Sequence, residues 1–174
     1  METKVLVAYA SSYGSTKEIA EVISETLRSQ GLAVDLQPIR KVRILEGYSA
    51  VVLGAPLYMF HWHKEALHFL SRHRKILADH LPLAIFAGGP FAKEDGKEWQ
   101  EVRALFDREL AKFPWLTPIS VQIVGGKFDP AKLRFPYNLI PALKKMPASD
   151  LRDWVVIRAW ASSLAAQFLP DSPQ

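Results

Sequence analysis

Apolar positions in this chain fall into short runs, separated by longer stretches with helical spacing. Val5–Ala10 is the first run, and it contains no charged side chain. Short runs of this kind, four to eight residues long, read as buried strands. On that rule strands are predicted at Val5–Ala10, Ala33–Leu36, Ala50–Leu53, Leu83–Ala87 and Ile119–Val124. Between them the period changes. Ile19, Ile23 and Leu27 stand at i, i+4 and i+8, which predicts a helix over Thr16–Ser29 that stops at Gly31. Further helices are predicted over His63–Leu77, with Leu67, Leu70 and Leu77 inward, and over Glu98–Lys112, with Trp99, Val102, Phe106 and Leu110 on one face. The last helix is predicted over Asp153–Phe168, with Trp154, Ile157, Ala161, Leu164 and Phe168 inward and Asp153 as its N-cap.

Strands that alternate with helices predict an α/β fold, a doubly wound parallel sheet of five strands with helices on both faces. Right-handed crossovers leave few topologies, and the order 2-1-3-4-5 is expected. In such sheets ligands sit beyond the C-terminal strand ends. In this order strands one, three and four are neighbours, so the segments that follow them converge. The 174 residues are read as one domain, 1–174, with an insert at about 125–150.

The segment after strand one is Ser11-Ser12-Tyr13-Gly14-Ser15-Thr16. It has four Ser and Thr hydroxyls, one tyrosine, no charge, and a helix directly behind it. Backbone N–H groups, hydroxyls and the positive end of a helix dipole together make a phosphate cradle. Ser15 and Glu18 have the S-x-x-E spacing of a capping box, which starts the helix near Ser15. The missing lysine argues against a nucleoside triphosphatase loop, and the missing G-x-G-x-x-G against a dinucleotide site. An ordinary strand–turn–helix without a ligand has the same outline.

After strand three, in the loop Gly54–His63, Leu57, Tyr58, Met59, Phe60 and Trp62 read as an aromatic, apolar wall at a loop tip, a flat slot for a planar ligand. A loop locally buried under a helix is the plainer alternative. After strand four, Gly88, Gly89 and Pro90 permit close backbone approach, and Phe91 offers a second apolar surface. A phosphate cradle beside a flat apolar slot describes a site for flavin mononucleotide (FMN).

Composition narrows the function classes. There is no cysteine, so disulfides and thiolate metal sites are excluded. The five histidines fit no ligand spacing, and no metal is expected; His61, at the loop tip, is the candidate proton donor. The net charge of +4 is too small for a nucleic-acid signature. No apolar run approaches a bilayer span, and a strand starting close to Met1 leaves no signal peptide expected. A cytoplasmic protein is expected. The segment Gly125–Ala148 holds Lys127, Lys132, Arg134, Lys144 and Lys145 against the single acid Asp129. Leu139, Ile140, Leu143 and Met146 give it a short amphipathic pattern that Pro141 limits. Either it covers the sheet edge, or it meets an anionic membrane at the inner face through Lys132, Arg134, Lys144 and Lys145 and admits a lipophilic acceptor such as a quinone.

These residues resemble the flavodoxin-like FMN-binding family. Val7-Ala8-Tyr9-Ala10-Ser11-Ser12-Tyr13-Gly14-Ser15-Thr16 follows its phosphate signature, and only Ala8 departs from it. The resemblance implies noncovalent FMN, with the phosphate on Ser11–Thr16 and the isoalloxazine between Pro56–His61 and Gly88–Phe91. Within the family the chain is similar to the menaquinone-dependent protoporphyrinogen dehydrogenase branch. Gly54-Ala55 followed by His61 and His63, the basic aromatic segment after strand five, and Asp153-Trp154 carry this likeness; Tyr58-Met59-Phe60 replaces the branch's Arg-Tyr-Gly. Three functions follow: an FMN redox protein passing electrons between a donor and an acceptor, a flavin-dependent protoporphyrinogen dehydrogenase with a quinone acceptor, or a nonredox module binding another phosphate ligand.

Overall fold

Alternation along the strands explains the two cores. The computed structural model describes residues 2–58, 61–89 and 96–170. Its strands are β1 (Lys4–Tyr9), β2 (Ala33–Pro38), β3 (Ala50–Tyr58), β4 (His61–Trp62), β5 (Leu83–Gly88) and β6 (Ser120–Val124). All but β4 run parallel in one sheet of order β2-β1-β3-β5-β6, and the two-residue β4 turns back antiparallel on β3. With β4 set aside, this is the expected order. Successive side chains in a strand point to opposite faces. Val5, Val7, Val52 and Phe86 pack with the helices α1 (Ser15–Ser29) and α6 (Trp154–Phe168) on one face. Leu6, Val51, Leu53 and Ile85 pack on the other with α2 (Lys64–Arg72), α3 (Arg74–Asp79) and α4 (Lys97–Leu110).

The α1 register follows the 3.6 period, with Ile19, Ile23 and Leu27 all buried. Gly31, at φ +92°, ends it in a Schellman turn: Leu32 N–H donates to Leu27 C=O and Gly31 N–H to Arg28 C=O. At the other end of the chain Asp153 caps α6, its carboxylate accepting the Val156 N–H at 3.1 Å. Gly54 is a packing requirement of the sheet, because a Cβ there would lie 1.8 Å from the Phe86 ring.

Three expectations need correction. Strand three does not end at Gly54 but continues to Tyr58, so Pro56 and Leu57 are buried strand residues rather than a loop tip. Trp62 likewise faces the core, its indole N–H donating to Ala55 C=O at 2.9 Å and its ring meeting Phe106 edge-on at 5.0 Å. The helix predicted over His63–Leu77 is two helices. His63 is the N-cap of α2, and His73, at φ −101° and ψ 17° with its ring 4.7 Å from Phe69, breaks it from α3. Its inward set also thins, since Leu67 is only half-buried.

After β6 the segment from Gly125 onward forms β7 (Lys127–Phe128), a one-turn helix α5 (Pro141–Lys144) and β8 (Ser149–Asp150), with β7 and β8 paired antiparallel. Pro141 opens this helix rather than limiting it, as its fixed φ suits a first helical position. Leu139 points to solvent, contrary to the amphipathic pattern, whereas Leu143 turns inward.

Candidate functional site

The C-terminal strand ends converge as the topology requires. A Cβ on Gly88 would lie 3.5 Å from Pro56 Cα and 3.8 Å from Thr16 Oγ1, so the ends of β5 and β3 and the start of α1 meet at one place. The 11–16 turn is held by its own atoms. Ser11 Oγ accepts the Gly14 N–H at 2.9 Å, and Gly14 at φ +90° is the residue before α1. A non-glycine residue adopts that φ only at a cost. Among the described residues, the N–H groups of Ser12, Tyr13, Ser15, Thr16 and Lys17 have no acceptor. Four orphan donors at a helix N-terminus are expected; here Thr16 is buried beneath them, with no acid inside the turn.

The expected capping box does not form. Gly14 occupies the N-cap, and no side chain caps the helix. Glu18 instead accepts from Arg152 Nη1 at 2.8 Å, and Arg152 is the main residue that the sequence reading missed. Its guanidinium also forks onto Asp150 at 2.8 and 2.9 Å, reaches Ser15 C=O at 3.3 Å and lies 4.7 Å from the Trp154 ring centroid. The Arg152 side chain is 3% exposed although its partners are half-exposed. Its hydrogen bonds hold Asp150 below the ordinary carboxylate range. Arg152 therefore ties β8 to the first turn of α1.

That tie sets the 125–150 segment against the cradle. Between them lies a cavity of about 560 Å³. Ser12, Tyr13 and Ser15 line one side, Tyr58, His61 and His63 a second, and Phe128, Leu133, Tyr137, Leu143 and Met146 a third. Lys64, Lys127 and Lys132 place positive charge around it, against Glu18 and Asp129. The Tyr13 and Tyr58 rings meet edge-on at 6.3 Å, and Arg134 stands 6.0 Å from the Tyr13 ring. Burial, then the neighbouring Tyr13 and Tyr137, pushes the Tyr58 phenol well above its ordinary range, so it stays a neutral O–H. Burial holds His63 below the usual histidine range, and its Nδ1 accepts the Glu65 N–H at 3.2 Å.

Of the residues expected at the site, Ser12, Tyr13, Ser15, Tyr58 and His61 line the cavity, and so does Trp62 although its side chain is buried. Ser11 braces the turn; Gly88, Pro56 and Thr16 meet at the strand ends, and Gly89 follows β5 at φ +145°. Leu57 is turned into the core. Met59, Phe60, Pro90 and Phe91 lie outside the described residues. Among those residues no group of three or more His, Asp or Glu is placed to hold a metal ion, and no helix is long and apolar enough to cross a membrane.

The donor set suits FMN. A phosphate monoester accepts many hydrogen bonds and carries roughly −1.5 to −2 charges, and the turn offers free N–H groups and hydroxyls with its nearest acid, Glu18, paired. The missing side chain at Gly88 keeps the strand ends open.

Comparison with known proteins places the chain. A flavodoxin domain model matches residues 6–147. Protoporphyrinogen IX dehydrogenase (quinone) of Escherichia coli strain K12 is 24% identical over 161 residues, which cover 90% of this chain and 88% of that protein. A flavodoxin from the domain Archaea superposes with a TM-score of 0.60 at 14% identity, covering 95% of this chain and 99% of the other. Oxidised flavodoxin 1 from Bacillus cereus gives 0.58 at 18% identity, covering 95% and 97%. A flavodoxin domain indicates FMN as the cofactor and a flavin-binding redox function.

Proposed function

The chain belongs to the flavodoxin domain family, and on that premise we propose that it is an FMN-dependent oxidoreductase whose second substrate is a small lipophilic molecule. The observation that carries this is the roofed cavity of about 560 Å³ beside the cradle. A carrier that docks protein partners needs an open flavin edge, whereas here the 125–150 segment stands over the site with an apolar inner face. The relative named for protoporphyrinogen IX and quinone makes oxidation of a porphyrinogen-type donor with a quinone acceptor the reading of choice. Electron transfer between protein partners, by one domain spanning 1–174, is the second reading.

In the site as we read it, the N–H groups of Ser12, Tyr13, Ser15 and Thr16 bind the phosphate, braced by Ser11 and Gly14. Tyr58 and His61, paired across β3 and β4, and the end of β5 at Gly88 and Gly89 flank the planar ring system. When bound, FMN supplies reversible two-electron chemistry that no side chain here offers. Tyr58 and Tyr137 exclude water from the cavity, Lys64, Lys127 and Lys132 attract an anionic substrate group, and His61 presents its imidazole at the cavity wall.

The absorption spectrum of the purified protein tests the first step. A flavin spectrum, or uptake of added FMN, is expected; a colourless protein that refuses FMN overturns the reading. Anaerobic turnover of protoporphyrinogen IX with a menaquinone analogue then separates dehydrogenase from carrier. Exposed Phe135 and Leu139 beside Arg134, Lys144 and Lys145 favour peripheral contact with an anionic bilayer. Changing Lys144→Glu and Lys145→Glu together then lowers binding to phosphatidylserine vesicles severalfold, and unchanged binding counts against that contact.

A further inference from the structure

Glu109 is the only fully buried acid among the described residues, at 3% exposure. It sits at the end of α4, outside both the cradle and the cavity lining. Its Oε2 accepts the Trp62 N–H at 3.1 Å. Its Oε1 accepts from Lys112 Nζ at 2.7 Å and stands 3.5 Å from His61 Nδ1. A buried carboxylate persists only where donors offset its lost hydration. A helix-surface pair with Lys112 alone would need no burial at all. The two remaining donors both belong to β4, the outer strand of the hairpin, whose edge N–H groups have no further strand to pair with.

The geometry also separates the two histidines of that hairpin. His63 Nδ1 accepts from Glu65 N–H, so its proton belongs on Nε2. His61 Nδ1 faces a carboxylate, which wants a donor, so its proton belongs on Nδ1. Both rings line the cavity. One then offers a free Nε2–H and the other a free Nε2 lone pair.

We propose that Glu109 is a positioning residue of the site: it pins the β3–β4 hairpin through Trp62 N–H and holds His61 with Nδ1–H toward the carboxylate, leaving Nε2 to the ligand. The proposal rests on the FMN reading only for the identity of the ligand. It gives His61 its role through a residue 48 positions away in the chain, beyond any sequence motif.

The test begins with the full ¹⁵N-labelled chain without FMN. The His61 imidazole is expected as the Nδ1–H tautomer at pH 8, and an Nε2–H tautomer there overturns the proposal without any variant. In E109Q the His61 tautomer shifts toward Nε2–H, and the Trp62 amide exchanges roughly tenfold faster, as expected for a lost charge-assisted bond. FMN affinity, read by flavin fluorescence, falls by about tenfold on the same principle. K112M removes the helical partner alone and is expected to keep the tautomer and hold FMN affinity within about twofold, as surface pairs contribute little. If K112M reproduces the effects of E109Q, or E109Q moves neither the tautomer nor the Trp62 amide, Glu109 does not position the hairpin. A wild-type chain that binds no FMN overturns the FMN reading alone, because the tautomer and exchange measurements need no cofactor.

Discussion

The 11–16 turn and the 125–150 segment face each other across one cavity, yet they are built on opposite plans. The turn is contiguous, closed by bonds between near neighbours, and set between β1 and α1, which both lie in the core. No residue of 127–150 is buried. Beyond the Arg134 guanidinium near the Tyr13 ring, that segment is held at its two ends. Gly125 and Gly126 meet Leu151, with the Leu151 N–H on Gly126 C=O at 2.9 Å, and Arg152 reaches across to Glu18 and Ser15. The cradle thus inherits the stability of the sheet. The segment opposite it stands on a few polar links, so it can change shape, and what it admits, without unfolding the fold beneath.

The largest effect comes from striking the ground under both. Gly54→Ala puts a Cβ 1.8 Å from the Phe86 ring in a fully packed core. Overpacking of that kind costs about 3 kcal/mol. A urea midpoint that falls sharply, with cradle and insert lost in one transition, is expected; an unchanged midpoint would break the claim that both rest on this core.

Next comes the cradle alone. Gly14→Val forces a β-branched residue to φ +90°, with open space around the Cβ, so the strain is purely of the backbone. A strain of roughly 1–3 kcal/mol, borne where the ligand binds, predicts FMN affinity lower by about tenfold to a hundredfold. Thr16→Ala should weaken it less. Unchanged titrations would move the phosphate elsewhere.

Arg152→Met then detaches the insert, and the cradle gives up only the 3.3 Å contact to Ser15 C=O. Glu18 and Asp150 are half-exposed and regain water, so the loss is about 1–2 kcal/mol. Faster hydrogen exchange and proteolysis confined to 125–150, with the sheet still protected, is the expected pattern. Uniform loss of protection would mean that the insert is part of the main core.

What the sequence made legible follows the same division. The β1–turn–α1 unit could be read because each signal lies within a few residues: an apolar run, hydroxyls, Gly14, then Ile19, Ile23 and Leu27 on one face. Sheet order followed from strand count and handedness. The errors arose where distant partners decide. Ser15 and Glu18 have capping spacing, but Gly14 takes the N-cap and Arg152, 134 residues away from Glu18, takes the carboxylate. Leu57 and Trp62 look like a loop wall until β3 is seen to continue, when the strand alternation turns both inward. Glu109 carries no local signal at all, as its hairpin partner Trp62 lies 47 residues away. The Asp150–Arg152 spacing just before α6 was the one hint of the latch, and it needed the fold to show what stood opposite.

The smallest effect is a reversible version of Arg152→Met, produced by acid. Arg152's hydrogen bonds hold the Asp150 carboxyl below its ordinary value of 3.8. A carboxyl depressed by folding contributes stability that is fully present above the unfolded value and is lost as pH falls through the folded one. The attachment of β8 should therefore be unchanged from neutral pH down to about 4 and weaken only below that. Because Asp150 is half-exposed and Glu18 shares the guanidinium, the loosening is expected to be smaller than in the variant. Exchange rates of the 127–150 amides, corrected for intrinsic pH dependence, would show a rise below pH 4 in the wild type and none in Arg152→Met, where the link is already gone. A rise of equal size in both would assign the acid sensitivity to other carboxylates and leave Arg152 as a packing residue under Trp154.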